Sequence, residues 1–166
     1  MVLARNRGFT VVELVLALTL LAVLAAVGGA RFFDLQAYRT RAWADQVMGA
    51  LSYARAMAIA AHSMRTRVTL TASGLTVLQT SDCAETSGLA LPMPGSSQAL
   101  SAPAGVTLGL GGQSLPYVLC FDALGRPRDG SSAAGDLLTV ALPVSISSSS
   151  ASESLVLEPE TGWVHR

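Results

Sequence analysis

Gly8–Ala30 reads GFTVVELVLALTLLAVLAAVGGA, 23 residues with a single charge, Glu13. Its centre is the apolar run LVLALTLLAVLAAV, Leu14–Val27. Roughly 20 such residues span a bilayer as a helix. Arg5 and Arg7 stand ahead of it with no acid nearby, which puts residues 1–8 on the cytoplasmic side. An ordinary secretory signal would end in a small-residue cleavage site, which Ala25, Ala26 and Gly28 offer; a plain signal anchor is the other simple reading. Glu13 argues against both. A carboxylate within a membrane segment costs about 2.5–3.5 kcal/mol and marks a functional site by default. Its place near the start of the segment lets it reach the interface, so a tolerated interfacial acid remains the bland account.

The rest of the chain is less apolar. Over 166 residues, 51% are apolar, 13% are charged and the mean hydropathy is +0.47. That balance excludes a disordered chain and a histone-like basic protein. The formal net charge is +0, divided unevenly. Residues 1–67 hold eight Arg against Glu13, Asp34 and Asp45, giving +5; residues 68–166 hold three Arg against eight acids, giving −5. There is no Lys. The two Cys exclude a multi-disulfide scaffold and a four-Cys zinc site.

Beyond Arg31 the pattern becomes amphipathic. Trp43, Val47, Ala50, Leu51, Ala54, Met57, Ala58 and Ala61 recur at steps of three and four. One helix from Phe9 to His62 would be about 80 Å long, its first half bare and its second covering a sheet. Gly28-Gly29 marks either a loosened hinge or a close helix contact. The remainder reads as β. Arg67–Thr71 and Leu75–Thr80 flank a Gly-containing turn; Leu115–Phe121, Leu137–Leu142, Ser154–Glu158 and Gly162–His165 are further strands. Pro116 suits a strand start or an edge. Ser87–Ala104, Ala123–Gly135 and Ser145–Ser152 read as loops, and Leu108–Gly112 as a turn.

The segment Arg7-Gly8-Phe9-Thr10-Val11-Val12-Glu13-Leu14 resembles the prepilin signal of type IV pilins and type II secretion pseudopilins. That signal is a short basic leader ending in Gly, then a Phe, a Glu four residues later and an apolar helix. The resemblance implies cleavage between Gly8 and Phe9 by a prepilin peptidase, N-methylation of Phe9, and pairing of Glu13 with the N-terminal amine of a neighbouring subunit. Ammonium and carboxylate are each costly in hydrocarbon and less so when paired, so the pair would also fix register. "ALSYARAMAIAAHSMRTRVTLT" (50–71), "CFDALGRPRDG" (120–130) and "LVLEPETGWVHR" (155–166) resemble the H-type minor pseudopilins, the GspH/FimT family. "ARFFDLQAYRTRAWADQVMGALSYARAMAIA" (30–60) is further similar to MshC-type minor pilins of mannose-sensitive haemagglutinin (MSHA) pili.

Little in the chain suggests catalysis. His62 lies at a helix end, where a cation suits the macrodipole, and His165 is the next-to-last residue. No His pair at helical spacing, no Cys-x-x-Cys and no nucleophile elbow appears, so neither metal nor cofactor is expected. Cys83 and Cys120 are either a disulfide, the expected state outside the cytoplasm, or two buried thiols. Closing a loop of about 37 residues would contribute about 3–4 kcal/mol by the chain-entropy argument. Gly125-Arg126-Pro127-Arg128 matches the Gly-Arg-x-Arg string through which some FimT-type pilins bind DNA, and two Arg can clamp phosphates. Its mid-chain place and the flanking Asp122 and Asp129 favour a polar turn with internal ion pairs.

The expectation is an α+β pilin-like fold: leader 1–8, transmembrane and filament-core helix 9–30, amphipathic continuation 31–64, and an antiparallel β domain over 65–166. The expected function is a minor pilin or pseudopilin near a filament tip, with a DNA-binding minor pilin as the alternative. It is not expected to be an enzyme or to take a small-molecule substrate. The expected partners are the prepilin peptidase, other pilins or pseudopilins and the inner membrane. The implied topology is single-pass, with a cytoplasmic N-terminus and a periplasmic domain, followed by incorporation into the filament.

Overall fold

The computed structural model describes residues 10–32, 35–93 and 99–166, with the side chains of all but 26–32. The chain divides into two compact units, 1–34 and 35–166.

The first unit contains helix α1, Val11–Phe32. Thr10 is its N-cap: its carbonyl accepts from the Leu14 amide at 3.1 Å, and its hydroxyl accepts from the Glu13 amide at 3.3 Å. Helical backbone continues through Gly28 and Gly29, so the paired Gly do not end the helix. Every side chain from Thr10 to Ala25 is exposed. Those 16 residues span about 24 Å at 1.5 Å each. Among the described residues no helix is long and apolar enough to cross a membrane; the span expected over 9–30 lies partly outside them.

The second unit is α+β. Helix α2, Leu35–Ala61, is continuous and buries Thr40, Trp43, Ala44, Val47, Ala50, Leu51, Ala54 and Ala58. The single helix expected over Phe9–His62 appears as α1 and α2, with residues 33–34 outside the described set. Two sheets follow. The first contains β1 (Arg65–Thr71), β2 (Gly74–Thr80), β3 (Leu89–Ala90), β4 (Ala99–Ser101), β6 (Tyr117–Phe121) and β7 (Pro127–Asp129). Its order is β3-β2-β1-β6-β7, with β4 also on β2. The second contains β5 (Thr107–Leu110), β8 (Leu142–Ser147), β9 (Ser152–Leu157) and β10 (Val164–His165), in the order β10-β9-β8-β5. All pairings within both sheets are antiparallel.

Strand alternation builds the core. Thr66, Val68 and Leu70 of β1, Val77 of β2, and Leu119 and Phe121 of β6 are buried, as are Val144, Ile146, Leu155 and Leu157 of the second sheet. α2 touches both sheets, and its apolar face joins them into one core around Trp43 and Leu51. Burying such a side chain contributes about 1.5–3 kcal/mol. The Thr40 hydroxyl donates to the Gln36 carbonyl at 2.8 Å and lies 2.9 Å from the Ser148 hydroxyl, tying the start of α2 to the β8–β9 turn.

Five expectations are corrected. Ala123–Gly135, expected as a loop, carries β7, which pairs with β6. Leu137–Leu142 is not a strand: Leu137 makes an isolated bridge to Arg128, Val140 is exposed, and β8 begins only at Leu142. The supposed loop Ser145–Ser152 instead carries the β8–β9 hairpin, turning at Ser148–Ala151. Leu108–Gly112 is mostly strand rather than turn, because β5 pairs with β8. Ser87–Ala104 holds β3 and β4, both anchored on β2. Gly74 permits the second anchorage, since a Cβ there would lie 2.2 Å from the Leu100 carbonyl oxygen.

Candidate functional site

Three features bear on function: the start of α1, the disulfide, and an arginine cluster on the first sheet.

Gly8 and Phe9, the expected cleavage and methylation positions, lie outside the described residues. Glu13 is in the first turn of α1, three residues after the N-cap Thr10. Thr-x-x-Glu is the capping-box pattern, a helix-start signal legible in the sequence itself. The carboxylate therefore stands at the positive end of the helix dipole, exposed, ahead of an apolar surface. Val11, Val12, Leu14, Val15, Leu16, Leu18, Leu20, Leu21, Val23 and Leu24 are all more than half exposed. A helix that is apolar all round needs lipid or like helices around it.

Cys83 and Cys120 are joined, with an S–S distance of 2.09 Å and Cα atoms 5.6 Å apart. The bond ties the segment after β2 to the C-terminal end of β6.

The third feature follows from register. Arg67 of β1, Cys120 of β6 and Arg128 of β7 stand opposite one another. They point away from α2, because their neighbours Val68, Leu119 and Phe121 point into the core. Asp122 follows two residues after Cys120 on the same face. Its Oδ1 accepts the amides of Leu124 and Arg126, each at 3.0 Å. Its Oδ2 accepts Nε of Arg126 and Nε of Arg128, each at 3.1 Å, with Nη2 of Arg126 at 3.0 Å. Arg128 also donates from Nη1 to the Gly135 carbonyl at 3.0 Å. Asp122 is nearly buried. Burial pushes its carboxyl up, but the Arg126 amide, the two guanidinium groups and the Leu124 amide outweigh that and hold it below the usual value. Arg126 and Arg128 are thus clasped on one carboxylate, as a polar turn requires, which weakens the phosphate-clamp reading.

Of the basic surface on α2 and β1, Arg41 is paired with Glu153 at 3.0 Å and Arg55 donates to the Thr161 carbonyl at 2.7 Å. Both serve the domain itself. His62 is exposed, in a left-handed conformation (φ 45°) just past α2. His165 lies 2.9 Å from Glu158 and stacks on Trp163. Among the described residues no cluster of His, Cys, Asp and Glu suits a metal ion.

No curated protein and no solved structure matches the chain. Residues 3–29 match the prokaryotic N-terminal methylation motif. That motif is the signal of type IV pilin-like prepilins, and it supports a pilin-like or pseudopilin role for the chain.

Proposed function

We propose that the chain is a minor pilin or pseudopilin of the GspH/FimT kind, a structural subunit of a type IV pilus, MSHA-like, or of a type II secretion pseudopilus. The observation that carries this reading is the methylation motif over residues 3–29, which covers a helix whose side chains from Val11 to Ala25 are all exposed, with one carboxylate in its first turn. A prepilin peptidase cuts between Gly8 and Phe9, and Phe9 is then N-methylated. Before assembly the helix is held in the inner membrane, with the leader in the cytoplasm and the β domain in the periplasm. In the filament Glu13 pairs with the Phe9 ammonium of a neighbouring subunit. The role assigned is structural rather than catalytic, at low copy near the tip.

Mass spectrometry of the N-terminus tests processing: the reading requires a chain beginning at methylated Phe9. Glu13→Ala should still be cleaved but be lost from sheared filaments. Normal incorporation of that mutant would remove the assembly role of Glu13, and stoichiometry equal to the principal pilin would remove the minor-subunit role.

A further inference from the structure

On the outer face of the first sheet, beyond the end of α2, lies a cavity of about 270 Å³ lined by His62, Arg65, Asp122, Leu124, Arg126 and Arg128 among others. Thr66 stands opposite Phe121 and Phe121 opposite Pro127, so the residues one step outward, Arg65, Asp122 and Arg126, fall in a second row beside Arg67, Cys120 and Arg128. Four guanidinium groups thus share this face with one carboxylate. Asp122 already accepts four hydrogen bonds, about the full capacity of a carboxylate. It has no acceptor left for Arg65. Arg65 has no carboxylate partner among the described residues; its one hydrogen-bond contact is from Nη1 to the Cys83 sulfur at 3.8 Å. The Nε of Arg67 is buried without a hydrogen-bond partner. The face carries an excess of cationic donors that the domain does not itself satisfy, beside the outward-facing Leu124, 68% exposed.

We propose that this cavity is a docking site for an acidic segment of a neighbouring protein subunit, whose Asp or Glu carboxylate enters between Arg65 and Arg126 while an apolar neighbour of that residue rests on Leu124. This deepens the proposed function by giving the chemistry of a partner subunit. Charge complementarity selects an anion, and the planar guanidinium fork matches a carboxylate bidentately. The concavity admits one side chain, whereas a nucleic acid needs a row of cations and aromatic faces for its bases. The lining has no Phe, Tyr or Trp, and residues 35–166 carry eight Arg against nine acids, net −1.

The test uses the full chain in detergent micelles and a fluorescent peptide, Glu-Leu-Glu-Glu-Leu-Glu, followed by anisotropy at low salt. Saturable binding is expected, weakened about tenfold by Arg65→Gln, with an unchanged thermal midpoint because Arg65 holds no ion pair among the described residues. Arg126→Gln is the second variant; it leaves Asp122 its Arg128 and backbone partners and should weaken binding likewise. Leu124→Ser should weaken the Leu-containing peptide but not hexaglutamate. No saturable binding, binding indifferent to both Arg variants, or tighter binding of an oligothymidylate than of the peptide overturns the proposal. Because the peptide is added to the isolated chain, such a result leaves cleavage at Gly8 and filament incorporation standing on their own measurements.

Discussion

Replacing Asp122 by Asn keeps the side-chain shape and removes its charge. The Asn oxygen can still accept the Leu124 and Arg126 amides, now at 3.0 Å. The Oδ2 position becomes an NH2 group facing the Nε groups of Arg126 and Arg128, now donating at 3.1 Å. Two charge-assisted bonds are lost and donors are set against donors. Such bonds contribute about 1.5–3 kcal/mol each when buried. The Arg126 side chain is 37% exposed and that of Arg128 18%, so water recovers part of the loss. A net cost of about 2–3 kcal/mol follows, equivalent to a fall of roughly 6–10 °C in midpoint for a domain of this size. The pH dependence carries the same signature. The folded-state pKa lies below the ordinary 3.8, so the stabilisation is present above 3.8 and disappears as pH falls through the lower folded value. Thermal unfolding of the full chain in micelles, followed by β-sheet circular dichroism from pH 7 downward, reads both effects. The variant should melt earlier at pH 7 and lose less as the pH falls below 3.8. Equal midpoints at pH 7 would refute the clasp as a stabilising element.

Cys83→Ala with Cys120→Ala should lower stability by about 3–4 kcal/mol, measured by urea titration; the wild type should weigh two hydrogen atoms less than its reduced form. Gly74→Ala places a Cβ on the Leu100 carbonyl and should cost about 1–3 kcal/mol. Gly49→Ala, in α2 with nothing within 4 Å of its new Cβ, should instead add about 0.5–1 kcal/mol, and the two midpoints should move in opposite directions. The hydrogen bond to Glu158 raises His165 above its ordinary 6.5, so this contact is complete below pH 6.5 and is lost as pH rises through the folded value. An NMR titration should show the His165 pKa falling in Glu158→Gln.

What was readable in the sequence was what followed a single period. The 3.6-residue stripe from Trp43 to Ala58 located the buried face of α2, and the alternation in TRVTLT located β1. Thr40 and Ala44 escaped because one is polar and the other small, yet both are fully buried. β5 was hidden by glycine, which mimics a turn. Gly109 and Gly111 are there because Cβ atoms would lie 2.8 Å from the Ser145 hydroxyl and 2.4 Å from the Pro143 ring. β8 was hidden by its serines and by Pro143, although LPVSIS alternates inward and outward perfectly. Pro143 is tolerated because it lies beyond the residues paired with β5. The arginine cluster could be read only as flanking acids and bases. Its meaning depends on register, which places Arg65 of one strand in line with Asp122 and Arg126, more than fifty residues away in sequence.

The path of the chain between the sheets has a consequence for how the domain comes into being. The chain lays down four strands of the first sheet, crosses to start the second with β5, returns for β6 and β7, and crosses again for β8 to β10. Neither sheet is a contiguous piece of chain. When such a polypeptide is delivered from its N-terminus, β5 waits more than thirty residues for β8, its partner, and part of the apolar face of α2 waits for Leu155, Leu157 and Val164. Closure of the core is therefore a late, all-at-once event gated by residues 142–166, with the slow kinetics of long-range pairing. Until then α2 and the early strands present an adhesive surface, and a delivery pathway must shield that surface from other copies for as long as elongation lasts.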